Sequence, residues 1–274
     1  MATMSSEARV GPLLREWRER RRRTQLDLAL DAGISARHLS FVETGRSRPG
    51  RELLLRVAEE LEIPFRERNH LLLAAGHAPA FPERSLDHPD LAPVREALDL
   101  ILEGHEPYPA VVVDRAYNLV AANAAAALLV EGIDPELLKP PLNALRLGMH
   151  PRGMATRVIN MAEVRAFFRE RIERQLLSTA DPELAALIEE VSAYPVPEGE
   201  PQADPAAHRG AGEILGPFKL RAADGGVLSF FGTFATFDTP FEVTTSELAI
   251  ELLFPADRET REALERRARQ QGAG

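Results

Sequence analysis

The chain has 274 residues, 45% of them hydrophobic, and a formal net charge of -9. This length suits one large domain or two ordinary ones, each able to bury an apolar core. Because the sequence contains no cysteine, disulfides, thiolate metal sites and cysteine nucleophiles are excluded. No secretory signal is recognisable, and the longest apolar run is far shorter than the ~20 residues of a membrane span. We therefore expect a soluble, cytoplasmic protein without a membrane partner.

The charge is unevenly distributed along the chain. Residues 9–76 contain 14 Arg and 10 acidic residues, whereas residues 77–274 contain 19 basic and 31 acidic residues. A basic N-terminal part attached to an acidic body is typical of a phosphate-binding module carried by another domain. The alternative is that so small an excess of positive charge arises by chance. The sequence motifs distinguish between these two interpretations.

Five short helices are predicted in the N-terminal part, at about 12–23, 25–32, 36–43, 51–61 and 64–76. Thr24 and Ser35 suit the N-cap positions of the second and third helices, because their hydroxyl oxygens can accept from a free backbone N–H. Gly33 suits the left-handed conformation that ends the second helix. Two short helices joined so tightly, in "DLALDAGISARHLSFVETG" (27–45), predict a helix-turn-helix.

The helix-turn-helix prediction accounts for the polarity of these two helices. The residues with the spacing to face inward are Leu28, Ala29, Ala32, Ile34, Leu39 and Val42. Arg37, His38, Ser40 and Phe41 then face outward, where the third helix can enter a DNA major groove. An outward Phe41 suits contact with a thymine methyl group. The alternative is a helical bundle that binds protein or no partner, with Arg20–Arg23 as a solvated face.

The segment "TQLDLALDAGISARHLSFVETGRSRP" (24–49) resembles the phage-repressor, XRE-type helix-turn-helix. The resemblance implies an all-α, five-helix, lambda-repressor-like domain over residues 9–77. It also implies that Gln25 contacts a phosphate and that Arg18 and Glu43 form an internal ion pair. Ala36, Arg37 and Phe41 would face base edges. The full set of expected DNA-binding residues is Gln25, Ser35, Ala36, Arg37, His38, Ser40, Phe41, Arg46 and Arg48.

The rest of the sequence predicts antiparallel strands early and late with helices between them, which is an α+β pattern. The expected order is a linker at 77–90, a helix at 91–102, a β-hairpin at 108–123 with its turn at "DRAYN", a short helix in "AAAALLVEGI", helices at 158–178 and 181–194, a loop at 195–212, a hairpin at 217–237 and a strand at 247–254. Asp181 and Pro182 suit the first positions of a helix. A charged C-terminal helix that frays is expected after Pro255.

The sequence shows no recognisable catalytic set, and we expect no enzymatic activity. It lacks an HExxH helix and a nucleophile elbow. The "GAGEILG" segment (210–216) has the wrong spacing for a dinucleotide loop, and the seven histidines lack paired metal-ligand spacing. We therefore expect neither a cofactor nor a metal.

Several features of the second part indicate an apolar pocket, although an ordinary core is the simpler interpretation of each. Phe230, Phe231, Phe234 and Phe237 lie in one predicted strand and divide between its two faces. Residues 143–165 mix apolar with basic side chains and hold three of the five methionines, which adapt to flexible apolar ligands.

The resemblance extends over nearly the whole chain. The chain as a whole resembles the MmyB-like transcription regulators. The resemblance lies in the N-terminal helix-turn-helix part and in the later segments "HEPYPAVVVDRAYNLVAANAAAALL", "NALRLGMHPRG", "VINMAEVR" and "LSFFGTFATFDTPFEVTTSELAIELLFPAD". It implies a PAS-like antiparallel-sheet domain with helices, and a fatty-acid-type ligand. Tyr117 and Val164-Arg165 stand where that family usually has tryptophan. We place the domain at 107–256, after a linker and connecting helix at 78–106 and before a tail at 257–274.

The ligand prediction is a long-chain carboxylic acid or a similar amphiphile. Its tail would lie between the strand carrying Phe231, Phe234 and Phe237 and the segment carrying Leu147, Met149 and Ile159. Arg146 would bind the carboxylate, because its planar fork matches two oxygens. His150, Asn160 and Arg157 are the further candidates for this contact.

The sequence thus predicts a ligand-responsive transcriptional regulator that binds double-stranded DNA. A homodimer on a pseudo-palindromic operator is expected, because two-fold proteins read two half-sites. The alternatives are an enzyme or a protein-docking module with a DNA-targeting head.

Overall fold

The computed structural model describes residues 10–195 and 218–271. Its internal contacts divide the chain into two compact units. The head unit comprises residues 10–85, 177–180 and 240–246. The sheet unit comprises the other described residues, from 86 to 271.

Five helices form most of the head unit, as predicted. They are α1 (Val10–Arg20), α2 (Gln25–Asp31), α3 (Ala36–Glu43), α4 (Arg51–Glu60) and α5 (Phe65–Ala74). The predicted caps of α2 and α3 are confirmed, because the Thr24 and Ser35 hydroxyls each accept a backbone N–H at 3.1 Å. Gly33 has the expected positive φ, 66°. Helix α1 ends three residues earlier than predicted, since Arg22 has a φ of 52°, outside the helical region.

The core of the head unit contains the apolar residues that the helix-turn-helix pattern placed inside. Leu28, Ala29, Ala32, Leu39 and Val42 are buried, and Ile34 packs against them at the edge. A close approach of α1 to the end of α3 depends on Gly11. A Cβ atom at this position would lie 2.5 Å from the backbone oxygen of Glu43.

The sheet unit contains one five-stranded antiparallel sheet. Its strands are β1 (Ala110–Val113), β2 (Leu119–Ala122), β3 (Phe218–Arg221), β4 (Val227–Ala235) and β5 (Ala249–Pro255), in the spatial order β2-β1-β5-β4-β3. Both predicted hairpins and the late strand are therefore confirmed. Together with the helices around the sheet, they give the predicted α+β, PAS-like fold. In the first hairpin the Asp114 carboxylate accepts the N–H groups of Ala116 and Asn118, which closes the turn.

The remaining helices are α6 (Ala92–Gly104), α7 (Ala144–Met149), α8 (Met161–Thr179), α9 (Pro182–Ser192), α10 (Val243–Ser246) and α11 (Arg258–Gln271), with 3-10 turns at Pro89–Leu91, Ala124–Val130, Pro135–Leu138 and Met154–Thr156. Helices α7 and α10 were not predicted, and the short helix predicted in "AAAALLVEGI" is a 3-10 turn. Asp181 caps α9, with Pro182 as its first residue. Helix α8 begins later than predicted, because Val158 forms a β-bridge with Leu220. The predicted loop after Pro195 and the "GAGEILG" segment lie outside the described residues.

The two faces of the sheet have different coverings. On one face, Leu98 and Leu102 of α6 pack against Val112 and Ile250. The other face borders an internal cavity. Fraying of the C-terminal helix was a wrong prediction, since Leu264 of α11 is buried in the core of the sheet unit. Much of α11 is charged, but Leu264 and Ala263 pack against this core, the Ser229 N–H donates to Thr260 Oγ1 at 2.9 Å, and Arg267 forms an ion pair with Glu131.

Candidate nucleic-acid surface and internal cavity

Helix α3 presents a polar surface to solvent. Arg37 and His38 are exposed, while Ala36 and Ser40 are half-buried. Ser35 is also exposed, although its hydroxyl is engaged in capping the helix. Of the residues predicted to face outward, Arg37 and His38 are therefore exposed, whereas Ser40 is partly covered.

Phe41 is half-buried between two arginines. The guanidinium carbons of Arg37 and Arg46 lie 5.3 Å and 6.0 Å from the centre of its ring. Cation–π contacts of this kind favour a fixed position of the guanidinium over the ring. Phe41 is thus less exposed than the sequence suggested, and it supports two exposed basic side chains on the outer surface of the helix-turn-helix.

Glu43 anchors a buried polar network beneath this surface. The Arg18 guanidinium donates to both carboxylate oxygens, at 2.6 Å and 2.9 Å. The side chains of Arg18 and Glu43 are 10% and 1% exposed, so this is the internal ion pair that the resemblance implied. Gln25 Nε2 donates to the same carboxylate at 2.7 Å. One N–H of the Gln25 amide therefore fixes the side chain, and the second remains for an outside acceptor.

Arg48 is exposed, but its position suggests a structural role. Its Nη2 lies 3.5 Å from the carbonyl oxygen of Ala75, just after the end of α5. A cation close to the C-terminus of a helix is stabilising. Arg48 is therefore less favourably placed for DNA than Arg37 and Arg46.

A cavity of about 750 Å³ lies within the sheet unit. Residues of the sheet, of the 3-10 turn at Ala124–Val130, of α7 and of α8 line it. Many of these have small side chains, namely Ala110, Ala122, Ala126, Ala127, Ala144, Gly148 and Gly232. Small residues on several walls leave space that a packed core would fill. The volume lies within the usual range for small-molecule sites, roughly 300–1,000 Å³.

Half of the predicted pocket residues line this cavity. They are Leu147, Met149, Asn160, Phe231 and Phe234. Both polar atoms of the Asn160 amide form hydrogen bonds, because Nδ2 donates to Glu163 at 2.8 Å and Oδ1 accepts from the Lys219 N–H at 3.0 Å. Tyr117 and Val164, at two positions where the resemblance leads one to expect tryptophan, also line the cavity.

Arg146 and His150, which were predicted to bind the ligand, do not line the cavity. Arg146 forms a bidentate pair with Glu190 of α9, at 2.8–3.1 Å, on the surface. Hydrogen bonding to Arg146 holds the pKa of the Glu190 carboxyl below its usual value. His150 packs edge-on against Tyr194. Both side chains thus join α7 and the chain after it to α9.

Arg157, Ile159 and Phe237 also lie away from the cavity walls. Arg157 donates to the main-chain oxygens of Glu131 and Arg221, at 2.7 Å and 3.2 Å, and burial lowers the pKa of its guanidinium. Ile159 is 38% exposed. Phe237 follows the end of β4 and packs on the α6 face of the sheet.

The cavity contains an acidic residue that was not predicted as a site residue. Glu251 lies in the middle of β5, paired with Phe234 of β4 and Val111 of β1. Burial raises the pKa of its carboxyl to about 7, against a smaller lowering by Arg171. The signal in the sequence was a single charge inside the apolar strand "AIELLF". Arg174 of α8 also lines the cavity, and its side chain is exposed.

The described residues give no indication of a metal site. No group of three His, Asp or Glu side chains in residues 10–195 and 218–271 could hold an ion. In the same part of the chain, none of the helices is long and apolar enough to cross a membrane.

Comparison with known families identifies both units. Residues 14–68 match the helix-turn-helix family, and residues 94–266 match the MmyB-like transcription regulator ligand binding domain. A helix-turn-helix followed by such a domain defines a DNA-binding transcriptional regulator with a ligand-sensing domain. The chain belongs to the MmyB-like transcription regulators.

Individual relatives cover parts of the chain. The HTH-type transcriptional regulator RghRB of Bacillus subtilis (strain 168), itself described as uncharacterized, is 33% identical over 42% of this chain and 74% of its own length. The clp gene regulator ClgR from C. glutamicum is 28% identical over 26% of this chain and 88% of that chain, with a TM-score of 0.23. The PAS domain of an HTR-like protein from Haloarcula marismortui is 12% identical over 61% and 94%, with a TM-score of 0.24. Because these TM-scores are low, the fold assignment rests on the strand order and on the family matches.

Proposed function

We propose that the protein is a homodimeric regulator that acts in the cytoplasm, reads a pseudo-palindromic operator and senses a long-chain fatty acid. The observation that carries the proposal is the combination of two features in one chain. One is the Arg37–Phe41–Arg46 cluster on the helix-turn-helix, and the other is the cavity of about 750 Å³ in the sheet unit. The family match supports this function over the alternatives, an enzyme or a protein-docking module with a DNA-targeting head.

In the DNA complex, α3 lies in the major groove and Arg37 contacts guanine. A bidentate contact of this kind contributes ~1–3 kcal/mol of discrimination between bases. Gln25 and Arg46 bind phosphates, which position the protein without reading the sequence. The dimer follows from the small size of one helix-turn-helix, since two copies can read half-sites about one helical turn apart.

The DNA part is tested by selecting binding sites from a random pool with the full-length protein. Arg37→Ala should relax the preference at one position of each half-site, and Arg37→Lys should do so as well, because lysine keeps the charge but lacks the planar fork. Arg46→Ala should weaken binding to all sequences about equally. An unchanged preference in Arg37→Ala would show that α3 does not dock as proposed.

In the ligand complex, the apolar tail fills the cavity. Each buried CH₂ group contributes about 0.8 kcal/mol, so a chain of ordinary lipid length needs few polar contacts. The carboxylate lies beside Arg174, which lines the cavity yet remains exposed to water. Glu163 and Glu170 also line the cavity, so a fatty-acid anion requires this arginine to offset their charge.

Calorimetric titration of the delipidated full-length protein with tetradecanoate tests the ligand part. Arg174→Ala should weaken binding, whereas Arg146→Ala should bind like the wild type, because Arg146 pairs with Glu190 outside the cavity. Absence of saturable binding to the wild type would refute the fatty-acid proposal. Equal binding by all three proteins would refute only the role of Arg174.

A further inference from the structure

Glu251 places a carboxyl group on the wall of an otherwise largely apolar cavity. It lies on the central strand of the sheet, with Phe234 and Val111 as its direct neighbours across the strands. The residue is half-buried by surface area because it borders the cavity, but the carboxyl lies deep within the sheet unit. Among the described residues, no group forms a hydrogen bond with this carboxyl. Carboxylates are rarely buried in proteins unless they are paired.

The neighbouring cation does not supply the missing partner. Arg171 of α8 acts on Glu251 only through its charge. Its Nε donates to the Tyr117 hydroxyl at 3.2 Å, and its guanidinium lies 3.5 Å from the centre of the Phe234 ring. Arg171 itself does not line the cavity, whereas the Phe234 ring does. The guanidinium is therefore held behind the cavity wall, and a group that satisfies Glu251 has to come from within the cavity.

We infer that Glu251 determines ligand specificity at its own position on the cavity wall, by favouring amphiphiles that place a hydrogen-bond donor there, such as a hydroxyl or an amide N–H, over those that place only an acceptor there. This inference rests on the proposed function, because it requires the cavity to bind an amphiphile. An ionised carboxylate only accepts hydrogen bonds, whereas a protonated carboxyl can also donate one. A buried acceptor left without a donor costs free energy, so an ionised Glu251 disfavours an ester at this position. The carboxylate of the proposed fatty acid lies instead beside Arg174.

The selectivity should therefore depend on pH. Burial brings the pKa of Glu251 to about 7, so the carboxyl is largely protonated at pH 6.0 and ionised at pH 8.5. The charged or titratable groups around it are Arg171 and, along the cavity, Tyr117, Glu163, Glu170 and Arg174. The sheet neighbours of Glu251, Val111 and Phe234, carry no charge. Tyr117 stays neutral in this range, because burial raises its pKa further above 10.

The test compares two uncharged compounds of equal chain length, 1-tetradecanol and methyl tetradecanoate. Each displaces the fluorescent probe N-phenyl-1-naphthylamine from the full-length protein at pH 6.0 and pH 8.5. At pH 8.5 the wild type should prefer the alcohol by about tenfold or more, because a hydrogen bond to a charged group is stronger than one between neutral groups. The preference should decrease at pH 6.0, where a protonated Glu251 can donate to the ester carbonyl.

Three variants separate the role of Glu251 from a general effect of charge. Glu251→Gln keeps the size of the side chain and should give a smaller preference that does not change with pH. Glu251→Leu should abolish the preference for the alcohol. Glu189→Gln removes one negative charge from the exposed surface of α9 and should behave like the wild type.

The outcomes distinguish this inference from the proposed function. Binding of both compounds with the same alcohol-to-ester ratio in the wild type and in Glu251→Leu would overturn the role of Glu251 and leave the ligand-binding proposal intact. If neither compound displaced the probe from any of the four proteins at either pH, amphiphile binding in the cavity would be overturned, and this inference with it.

Discussion

Replacement of Glu43 by alanine should destabilise the head unit strongly. The Glu43 side chain is 1% exposed and pairs with an Arg18 side chain that is 10% exposed, so solvent screens the pair little. Removing the carboxylate leaves the Arg18 guanidinium buried without its anion and also releases the Gln25 amide. Breaking a buried ion pair by removing one partner typically costs ~3–5 kcal/mol. We expect a loss of this size in the free energy of unfolding of the head unit.

The single tryptophan of the chain makes this loss measurable in the intact protein. Trp17 lies in α1, next to Arg18 in the sequence, and is buried in the core of the head unit. Tryptophan fluorescence therefore follows unfolding of the head unit alone, even where the sheet unit unfolds at a different denaturant concentration. A urea titration of the full-length protein gives the midpoint and the slope of this transition.

Two comparisons show whether the loss comes from a stranded buried charge. Replacing both partners, as Arg18→Met with Glu43→Leu, should cost less than Glu43→Ala alone, because no charge is then buried without a partner. The matched control is Glu16→Ala, which removes the exposed partner of Arg20 on the same helix and should change the midpoint little. If Glu43→Ala and Glu16→Ala shifted the midpoint equally, the buried network would not be the source of stability.

Three further changes test other parts of the structure. Gly11→Ala should lower the free energy of unfolding of the head unit by about 1–3 kcal/mol, because the new Cβ would lie 2.5–2.6 Å from backbone oxygens and α1 must shift. An unchanged urea midpoint of the Trp17 fluorescence would contradict this packing. Leu264→Ala should destabilise the sheet unit by about 2–5 kcal/mol and release α11, as measured by calorimetry and by faster amide exchange in that helix. Because the folded-state pKa of Glu251 is raised, its contribution to stability is fully present below pH 4.5 and is lost as the pH rises through about 7. Glu251→Gln should therefore match the wild type near pH 4.5 and exceed it by about 3 kcal/mol at pH 8.5, and a pH-independent difference would contradict the raised pKa.

The five N-terminal helices of the head unit could be predicted from the sequence almost completely, because their determinants are local. Thr24 and Ser35 cap helices within a few residues, and Gly33 ends a helix by its own backbone conformation. Two features of these helices could not be predicted from the local sequence. The left-handed Arg22 ends α1 early, and Gly11 is needed only because the end of α3 lies against it.

The cavity was harder to predict, because a mixed segment does not show which side chains point inward. Leu147 and Met149 were correctly placed beside it. Arg146, which is also in α7, does not line the cavity and pairs with Glu190 of α9. The partner Glu190 lies 44 residues further along the chain, and only the tertiary structure brings it close. Glu251 could have been noticed as a single charge inside an apolar strand, but its burial close to Arg171 of α8 depends on the tertiary structure.

The link between ligand and operator is constrained by thermodynamics whatever the arrangement of the units. A ligand changes the affinity for DNA only by its difference in affinity for the DNA-competent and DNA-incompetent states. Linkage then requires that operator DNA change the ligand affinity by the same factor, typically 5–150-fold for coupled sites. Tetradecanoate should therefore be titrated into the full-length protein with and without saturating operator DNA. If the two ligand affinities were equal while tetradecanoate altered occupancy of the operator, the effect would not arise from equilibrium coupling within this chain.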